Sequence, residues 1–129
     1  MEISLRAALI SWLSGDPALS AQLNAVVEEA PDRTSLPWLA IVASASSDWS
    51  TKTTTGREVR VALELHCRGD APETAAALIS AIEARVQALP AAQPGFAVAT
   101  IQFLRARAEQ RPGNTRAVLL EYRFRLLAA

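Results

Sequence analysis

The sequence predicts an α+β fold: a four-stranded, mainly antiparallel sheet with two helices packed on one face and a long protruding β-hairpin. Three observations support this fold class. Apolar residues recur at helical spacing near the start of the chain and again in its centre. Strands with alternating apolar and polar residues follow one another along the chain, which favours antiparallel pairing. A long polar segment separates two of these strands and predicts the hairpin.

The first third of the chain predicts a helix, a short helical segment and two strands. A broad apolar stripe predicts a helix over residues 2–13, which Gly15 ends. Asp16 is placed to cap a short helical segment at 17–23, because the following Pro17 suits the first helical position. A brief strand at 24–29, a turn at 30–35 and an apolar strand at 38–44 follow.

Residues 44–57 form the longest polar segment and are rich in serine and threonine. Connections in compact domains usually have about 4–6 residues, and longer ones are commonly functional or disordered. We therefore predict a long hairpin whose tip is mobile in the isolated chain. Trp49 either contacts a partner or anchors the loop locally, because exposed aromatic residues are enriched at interfaces. The candidate subunit or partner contacts are Asp48, Trp49, Thr51, Lys52, Thr53, Thr54 and Arg57.

The second half of the chain predicts a strand, a long helix and two further strands. An apolar residue at every second position predicts a half-buried strand from Val59 to Cys67. Asp70 and Glu73 have the spacing of a helix-capping box, and the apolar stripe that follows predicts a helix ending at Pro90. A loop at 91–95, a strand at 96–107, a turn at 110–114 and a strand at 115–127 complete the chain.

Strand alternation places a set of arginines on the sheet face opposite the helices. Arg60, Arg123 and Arg125 are candidates for a basic face that lines a channel or contacts another subunit. Non-specific contact with a DNA backbone is one function of such a face. The favoured alternative is a solvated or subunit-facing surface that Glu109 and Glu121 balance.

Length and composition indicate one domain spanning residues 1–129, and half of these residues are hydrophobic. Thirteen basic and thirteen acidic residues give a formal net charge of zero, which argues against a dedicated nucleic-acid-binding protein. Cys67 is the only cysteine, so an internal disulfide is excluded and a reducing compartment is expected. Because the sequence has no apolar run of membrane-spanning length and no signal-peptide pattern, we expect a mature cytosolic product without a membrane partner.

No pattern in the chain predicts catalysis, a metal site or a cofactor. His66 and Cys67 are neighbours on a strand, so their side chains point to opposite faces and form no nucleophile–base pair. Glu28 and Glu29 diverge in the same way. The glycines are isolated rather than grouped in a phosphate-binding loop, and no His or Cys pair has metal-ligand spacing. We therefore expect neither an enzyme nor a bound cofactor.

Five segments, in an order and spacing that span nearly the whole chain, resemble one known family. They are the opening helix with its Gly-Asp-Pro-Ala-Leu end at 5–19, the Leu-Pro-Trp-Leu strand entry at 36–39, the polar hairpin at 48–56, the helix at 71–89 and the closing strand at 120–124. In these features the chain resembles the tail-completion or tail-terminator proteins of long-tailed bacteriophages and gene transfer agents.

This resemblance implies a non-catalytic α+β subunit that assembles into a ring, usually a hexamer. The ring is expected to cap the head-proximal end of a tail tube and to join it to the neck. The implied partners are further copies of the chain, the tail tube protein and a neck or head-closure protein, with DNA passing through the channel. The implied location is the tail–neck junction of a virion or phage-like particle that is made in the bacterial cytoplasm.

Two alternatives to a tail terminator stay open at this point. One is a head-closure or adaptor protein of the neck, which the sequence alone separates poorly from a terminator. The other is a small α+β module that binds a ligand between helices and sheet. Such a pocket needs polar groups that converge among apolar walls, and the sequence contains no cluster that demands one.

Overall fold

The computed structural model describes residues 1–31, 33–70 and 72–129. The turn predicted at 30–35 includes Asp32, and the predicted start of the second long helix includes Ala71, both of which lie outside the described residues. The helices are α1 (Glu2–Ser14), α2 (Pro17–Gln22) and α3 (Pro72–Gln87). The strands are β1 (Ala25–Val27), β2 (Trp38–Asp48), β3 (Gly56–Arg68), β4 (Ala92–Gln93), β5 (Phe96–Arg111) and β6 (Thr115–Ala128).

These six strands form one curled sheet in the order β1-β2-β3-β6-β5-β4. β1 is parallel to β2, and every other neighbouring pair is antiparallel. The predicted α+β class is confirmed, but the predicted four-stranded sheet is wrong because β1 and β4 extend its two sides. β1 lies within the brief strand predicted at 24–29, which the four-stranded sheet did not include, and β4 lies within the segment predicted as a loop at 91–95. With three and two residues, both are too short for the repeating alternation that marks a strand in a sequence.

The helices begin and end at residues that suit those positions. Gly15 follows α1, and its N–H donates to the carbonyl oxygen of Ser11 at 2.9 Å. Asp16 caps α2, because its carboxylate accepts a hydrogen bond from the backbone N–H of Ala18 at 3.0 Å and Pro17 occupies the first helical position. No helix in the described part of the chain is long and apolar enough to cross a membrane.

The hydrophobic core lies between the helices and one face of the sheet, which we call the helix face. Leu5, Leu9 and Leu13 of α1 are fully buried, and their spacing of four residues puts them on one side of the helix. α1 contacts β1 and β2, whereas α3 contacts β3. The two central strands contribute every second residue, namely Val59, Val61, Leu63, Leu65, Cys67, Val118, Leu120, Tyr122, Phe124 and Leu126.

A reciprocal contact between Trp12 and Arg85 joins α1 to α3. The indole Nε1 of Trp12 donates to the carbonyl oxygen of Arg85 at 2.6 Å, and Nε of Arg85 donates to the carbonyl oxygen of Trp12 at 2.9 Å. The Arg85 guanidinium also lies 3.3 Å from the centroid of the Trp12 ring. Such a cation–π contact is worth about 0.5–2 kcal/mol, so this pair holds the two helices at a fixed separation.

The hairpin between β2 and β3 contains more strand than the sequence predicts. β2 continues to Asp48 and β3 begins at Gly56, so the connection consists of residues 49–55 alone. The predicted bounds of the two flanking strands, an end at 44 and a start at Val59, are therefore wrong. Residues 44–47 pair with β3, because a strongly alternating partner strand overrides the low strand preference of a serine-rich segment.

Candidate functional site

Residues 49–55 form a compact, hydrogen-bonded loop at one end of the sheet. The backbone N–H of Thr51 donates to the carbonyl oxygen of Thr54 at 2.8 Å. The Thr51 hydroxyl accepts hydrogen bonds from the N–H groups of Thr53 at 3.3 Å and Thr54 at 3.0 Å. The loop therefore has a defined turn, from which the side chains of Thr51, Lys52 and Thr53 are exposed.

Trp49 anchors this loop to the neighbouring strands. Its N–H donates to the carbonyl oxygen of Gly56 at 3.0 Å, and its half-buried ring lies 5.4 Å from the Arg125 guanidinium. A Cβ atom on Gly56 would lie only 2.3 Å from the Trp49 carbonyl oxygen, so no other residue fits there without movement of the backbone. At the other side of the loop, the N–H of Ala128 donates to the carbonyl oxygen of Thr55 at 2.8 Å.

Asp48 and Arg57 form the last residue pair of the β2–β3 ladder, and both side chains are exposed. The Ser50 hydroxyl donates to Oδ1 of Asp48 at 2.7 Å and accepts from the N–H of Gly56 at 3.0 Å. All seven predicted contact residues of the hairpin therefore belong to one hairpin end. The local-anchor role of Trp49 is visible in its contacts, while its role in a partner contact stays a prediction.

The sheet face opposite the helices, which we call the outer face, carries polar side chains in rows across three strands. Arg60 of β3 lies opposite Arg123 of β6, which lies opposite Gln102 of β5. In the adjacent row, Glu58 of β3 lies opposite Arg125 of β6. The structure thus brings the three predicted arginines of the basic face together.

Glu58 is shared by two of these arginines. Its Oε1 lies 3.1 Å from Nε of Arg125 and 3.6 Å from Nε of Arg123. Arg60 is exposed and has no carboxylate within ion-pair distance among the described residues. Because like charges directly opposite one another in a sheet repel, an anion placed over Arg60 and Arg123 would relieve that repulsion.

A second polar cluster lies on the outer face at the other end of the sheet. His66 contacts the carboxylate of Glu64 through Nε2 and stacks on Trp38 with ring centroids 3.9 Å apart. Arg111 lies 3.8 Å from Glu64 and 2.7 Å from Glu109, and its guanidinium holds the pKa of Glu109 below the usual range. The sequence did not predict this cluster because its residues come from three strands, β2, β3 and β5. The alternation within each strand does not specify which strands are neighbours in the sheet.

Carboxylates balance part of the positive charge along β5. The guanidinium of Arg105 lies 2.9 Å from the carboxylate of Glu121, and that of Arg107 lies 2.9 Å from the carboxylate of Glu109. These pairs are mostly exposed, so solvent screens them and each contributes little to stability. Their main effect is that negative charges alternate with positive charges on this part of the outer face.

The titratable groups of the core are isolated from one another. Burial raises the pKa of the Cys67 thiol, which keeps it protonated and a poor nucleophile. Burial, with a smaller contribution from the Glu83 carboxylate, also raises the pKa of Tyr122. His66 lies on the outer face, across the sheet from Cys67. Within the described ranges, no three His, Cys, Asp or Glu side chains are grouped closely enough to bind a metal ion.

Comparisons with known proteins cover nearly the whole chain. The family model described as tail completion protein gp17 matches residues 7–127. A chain in the solved virion of a native gene transfer agent (GTA) particle is similar in structure, with a TM-score of 0.77 and 25% sequence identity. That similarity covers 98% of this chain and 96% of the other. No curated protein matches the chain.

Proposed function

This chain belongs to the family of tail completion protein gp17, and we propose that within this family it acts as a tail terminator. It is a structural tail protein of a phage-type particle, and it is located in that particle. In the proposed role it forms a ring at the head-proximal end of the tail tube, stops the tube from growing and joins it to the neck.

The extent of the two matches is the observation that supports this proposal most. The family model spans residues 7–127, and the GTA virion chain is similar over almost its full length. The polar hairpin, the strands of the outer face up to residue 127, α2, α3 and most of α1 therefore lie within the residues that the family model matches. The fold of this chain is that of a protein found in an assembled particle, which favours an assembly role.

A ring of identical subunits needs two different surfaces that recognise each other, because a head-to-tail interface is heterologous. We expect six copies, each of 13.8 kDa. A ring also presents two ends, one to the tail tube and one to the neck. The hairpin loop lies at one end of the sheet and the β5–β6 turn at the other. The subunit therefore has distinct ends for these two partners.

In this proposal the hairpin loop contacts a partner through its exposed hydroxyl and amine groups. Thr51, Lys52 and Thr53 offer hydrogen-bond donors on a backbone whose shape is already fixed by internal hydrogen bonds. A loop that is ordered before binding loses less conformational entropy when it docks. The partner in this reading is the tail tube protein, the neck protein or a neighbouring subunit.

The outer face lines the channel in this proposal. Arg60, Arg123 and Arg125 then face passing DNA, and Glu58 limits the strength of that contact. A channel through which DNA must move benefits from weak, sequence-independent contacts with phosphate groups. The mixed charge of the outer face suits this purpose better than a uniformly basic face, which would hold DNA in place.

Removal of the protein from the particle tests the proposed function. We expect cells that lack it to accumulate overlong tails without heads, measured by electron microscopy, and the wild-type gene to restore normal length. The purified protein should have the mass of six subunits in native mass spectrometry. Tails of normal length accompanied by heads that leak DNA would instead identify a head-closure protein and contradict the terminator role.

A further inference from the structure

Two long segments of the sheet have no neighbouring strand on one side. β1 pairs with β2 only at Trp38–Ala40, and β4 pairs with β5 only at Phe96 and Ala97. Among the described residues, nothing pairs with the outward edge of β2 over residues 42–48 or of β5 over residues 100–111. Each free segment is at least as long as a typical strand of about 5–6 residues.

An unpaired edge presents a row of backbone N–H and C=O groups, which is a template for another strand. We propose that the free edge of β5 pairs with the free edge of β2 in the next copy of this chain. The sheets of successive copies then join into one continuous ring-shaped sheet. This inference rests on the proposed ring and specifies which surfaces hold it together.

Strand direction is compatible with this joint. The four long strands β2, β3, β6 and β5 are antiparallel to their neighbours, so β2 and β5 run in opposite directions at the two sides of the sheet. The β2 strand of a next copy related by rotation therefore continues the alternation. The free segment is the later part of each strand. The joint thus needs the stagger that tilted strands have in a closed barrel.

Two of the three exposed large hydrophobic side chains of the described residues lie on these free segments. Val42 is 39% exposed on the free segment of β2, and Phe103 is 42% exposed on the free segment of β5. The third, Ile3, is 81% exposed on α1, the helix that contacts β1 and β2. Phe103 packs edge-on against Tyr122, so it belongs to the helix face. Joining the edges places Phe103 beside the α1 side of the next copy, where it loses contact with water.

The two edges also differ in charge. The free segment of β5 carries Arg105, Arg107 and Arg111 with one carboxylate, Glu109. The β2 side ends at Asp48 and is bordered by three glutamates near the start of α1 and the end of β1, which are Glu2, Glu28 and Glu29. A chain with no net charge is thus basic at one edge and more acidic at the other. Opposite charges of this kind orient two copies as they meet.

Arg6 connects the acidic groups to the free edge of β2. Its guanidinium donates to the Ser44 hydroxyl at 2.8 Å and to the carbonyl oxygen of Glu28 at 3.2 Å. The Ser44 hydroxyl in turn donates to the carboxylate of Glu2 at 2.5 Å. These contacts fix α1 and the residue after β1 beside the β2 edge. The surface that meets β5 is therefore built from three elements in a defined arrangement.

Pairing between two β5 edges is the main alternative, and the charges disfavour it. Two antiparallel copies of β5 would bring their arginine-rich segments together, and like charges across a strand pair are destabilising. That arrangement would also leave the β2 edge of each copy unpaired and could not close a ring of more than two subunits. A second copy that presents β2 satisfies both edges at once.

Engineered disulfides test the joint in assembled particles. In a Cys67→Ala background, Ala45→Cys on β2 is combined in turn with Gln102→Cys, Arg105→Cys or Arg107→Cys on β5, all on the outer face. Three β5 positions are used because the register between copies is not fixed in advance. We expect at least one pair, oxidised in purified tails, to give a ladder of covalent multimers that ends at the ring size and collapses on reduction.

Single-cysteine variants are the matched controls for this experiment. Ala45→Cys alone and Gln102→Cys alone should give no covalent multimer. A dimer from Gln102→Cys alone would show pairing between two β5 edges and overturn the proposal. Absence of a cross-link from all three pairs in tails that are correctly capped would overturn it as well, while leaving the terminator function intact.

A charge placed on the apolar part of the edge gives a second, independent test. We expect Phe103→Asp to raise at least 10-fold the protein concentration at which rings form, with the isolated chain still folded by circular dichroism. Its urea midpoint should fall modestly, because Phe103 is 42% exposed and packs against Tyr122. Ala84→Asp on the exposed side of α3 is the control and should assemble as the wild type does. Equal assembly of both variants would contradict the joint. Failure of the wild type itself to form rings or cap tails would instead contradict the proposed function.

Discussion

Ser44 lies at a point where α1, β1 and β2 meet. Its hydroxyl accepts a hydrogen bond from Arg6 and donates one to Glu2, and that donated bond lowers the pKa of the Glu2 carboxyl below its usual value. The lowered pKa means that the folded state favours the ionised carboxylate. Its contribution to stability is therefore complete above the unfolded-state pKa of about 4.3 and is lost as the pH falls through the folded-state pKa.

We expect Ser44→Ala to lower the free energy of unfolding by about 1 kcal/mol at pH 7, the usual net worth of one hydrogen bond. The difference from the wild type should shrink as the pH falls and Glu2 becomes protonated in the folded state, leaving the part that the hydrogen bond from Arg6 contributes. Urea unfolding at a series of pH values from about 3 to 7 measures this. Ser47→Ala, an exposed serine of the same strand, serves as the control. A difference that stays constant with pH would show that Glu2 is not involved.

Gly56 is a second residue whose identity is dictated by its surroundings. Any Cβ there would meet the backbone carbonyl oxygens of Trp49 in the loop and Leu126 in β6 at 2.3 and 2.9 Å, so the backbone would have to shift to accept it. We expect Gly56→Ala to lower the free energy of unfolding by about 1–3 kcal/mol, measured by urea denaturation. Thr55→Ala, one residue earlier and exposed, should change it by less than about 0.5 kcal/mol. Equal midpoints for the two variants would contradict the steric account.

At the scale of elements, a shortened hairpin between β2 and β3 tests whether the loop is needed for folding or for contact with a partner. Replacing residues 49–56 by Asn-Gly keeps the Asp48–Arg57 pair and provides a two-residue turn that suits antiparallel strands. We expect this variant to fold, with a loss of about 1–2 kcal/mol from the removed Trp49 contacts. We also expect it to fail to restore normal tail length in cells that lack the protein. Circular dichroism and urea unfolding check the first expectation, and electron microscopy of tails checks the second.

Two other results of this replacement would contradict the expectation. Normal tail length with the shortened hairpin would show that the loop is not needed for contact with a partner. A variant that does not fold would instead show that residues 49–56 belong to the core. The described hydrogen bonds argue against the second outcome, since the side chains at the tip are exposed.

Elements with a strong internal pattern were predictable from the sequence. β3 alternates from Val59 to Cys67 and β6 from Val118 to Leu126, so the buried and outer faces of these stretches follow from position alone. The second half of β2 has no such pattern, and its strand structure depends on a partner that is distant in sequence. β1 and β4 are too short for a repeating alternation, so the strand predicted at 24–29 could not be placed in the sheet and β4 was predicted as part of a loop. The free edges of β2 and β5 could not be predicted from the sequence either, because strand order decides which strands lie at an edge and the sequence pattern does not specify that order.

The candidate site follows the same division. The alternation of side chains along β3 and β6 was enough to place Arg60, Arg123 and Arg125 on one face of the sheet. The carboxylate of Glu58 between two of them depends on the register of those strands, which the hydrophobic pattern does not specify to the residue on an open, polar face.

At the scale of the whole molecule, the outer face is expected to make weak contacts with DNA in the assembled ring. Arg60 is exposed and has no carboxylate partner among the described residues, so it is free to contact a phosphate. Each phosphate contact contributes about −0.9 to the slope of log affinity against log salt concentration for duplex DNA. We therefore expect Arg60→Ala to reduce the magnitude of that slope by about 1 for each subunit that contacts DNA at once.

Titration of duplex DNA with assembled rings at several salt concentrations measures this slope. Arg33→Ala removes an exposed arginine outside the sheet and is the matched control, since it should leave the slope unchanged. An unchanged slope for Arg60→Ala would indicate that the outer face does not meet DNA. A ring whose affinity does not depend on salt would argue against any channel contact with phosphate.

The positions of the tryptophans allow assembly to be followed by intrinsic fluorescence. Trp12 of α1 packs against Arg85 of α3, Trp38 stacks on the His66 ring, and Trp49 is half-buried at the hairpin. Each indole therefore has a different environment. Conversion of the first two to phenylalanine leaves an emission spectrum that originates from the hairpin alone. A shift of that spectrum to shorter wavelength during assembly would report, in real time and without an attached dye, when the loop leaves water.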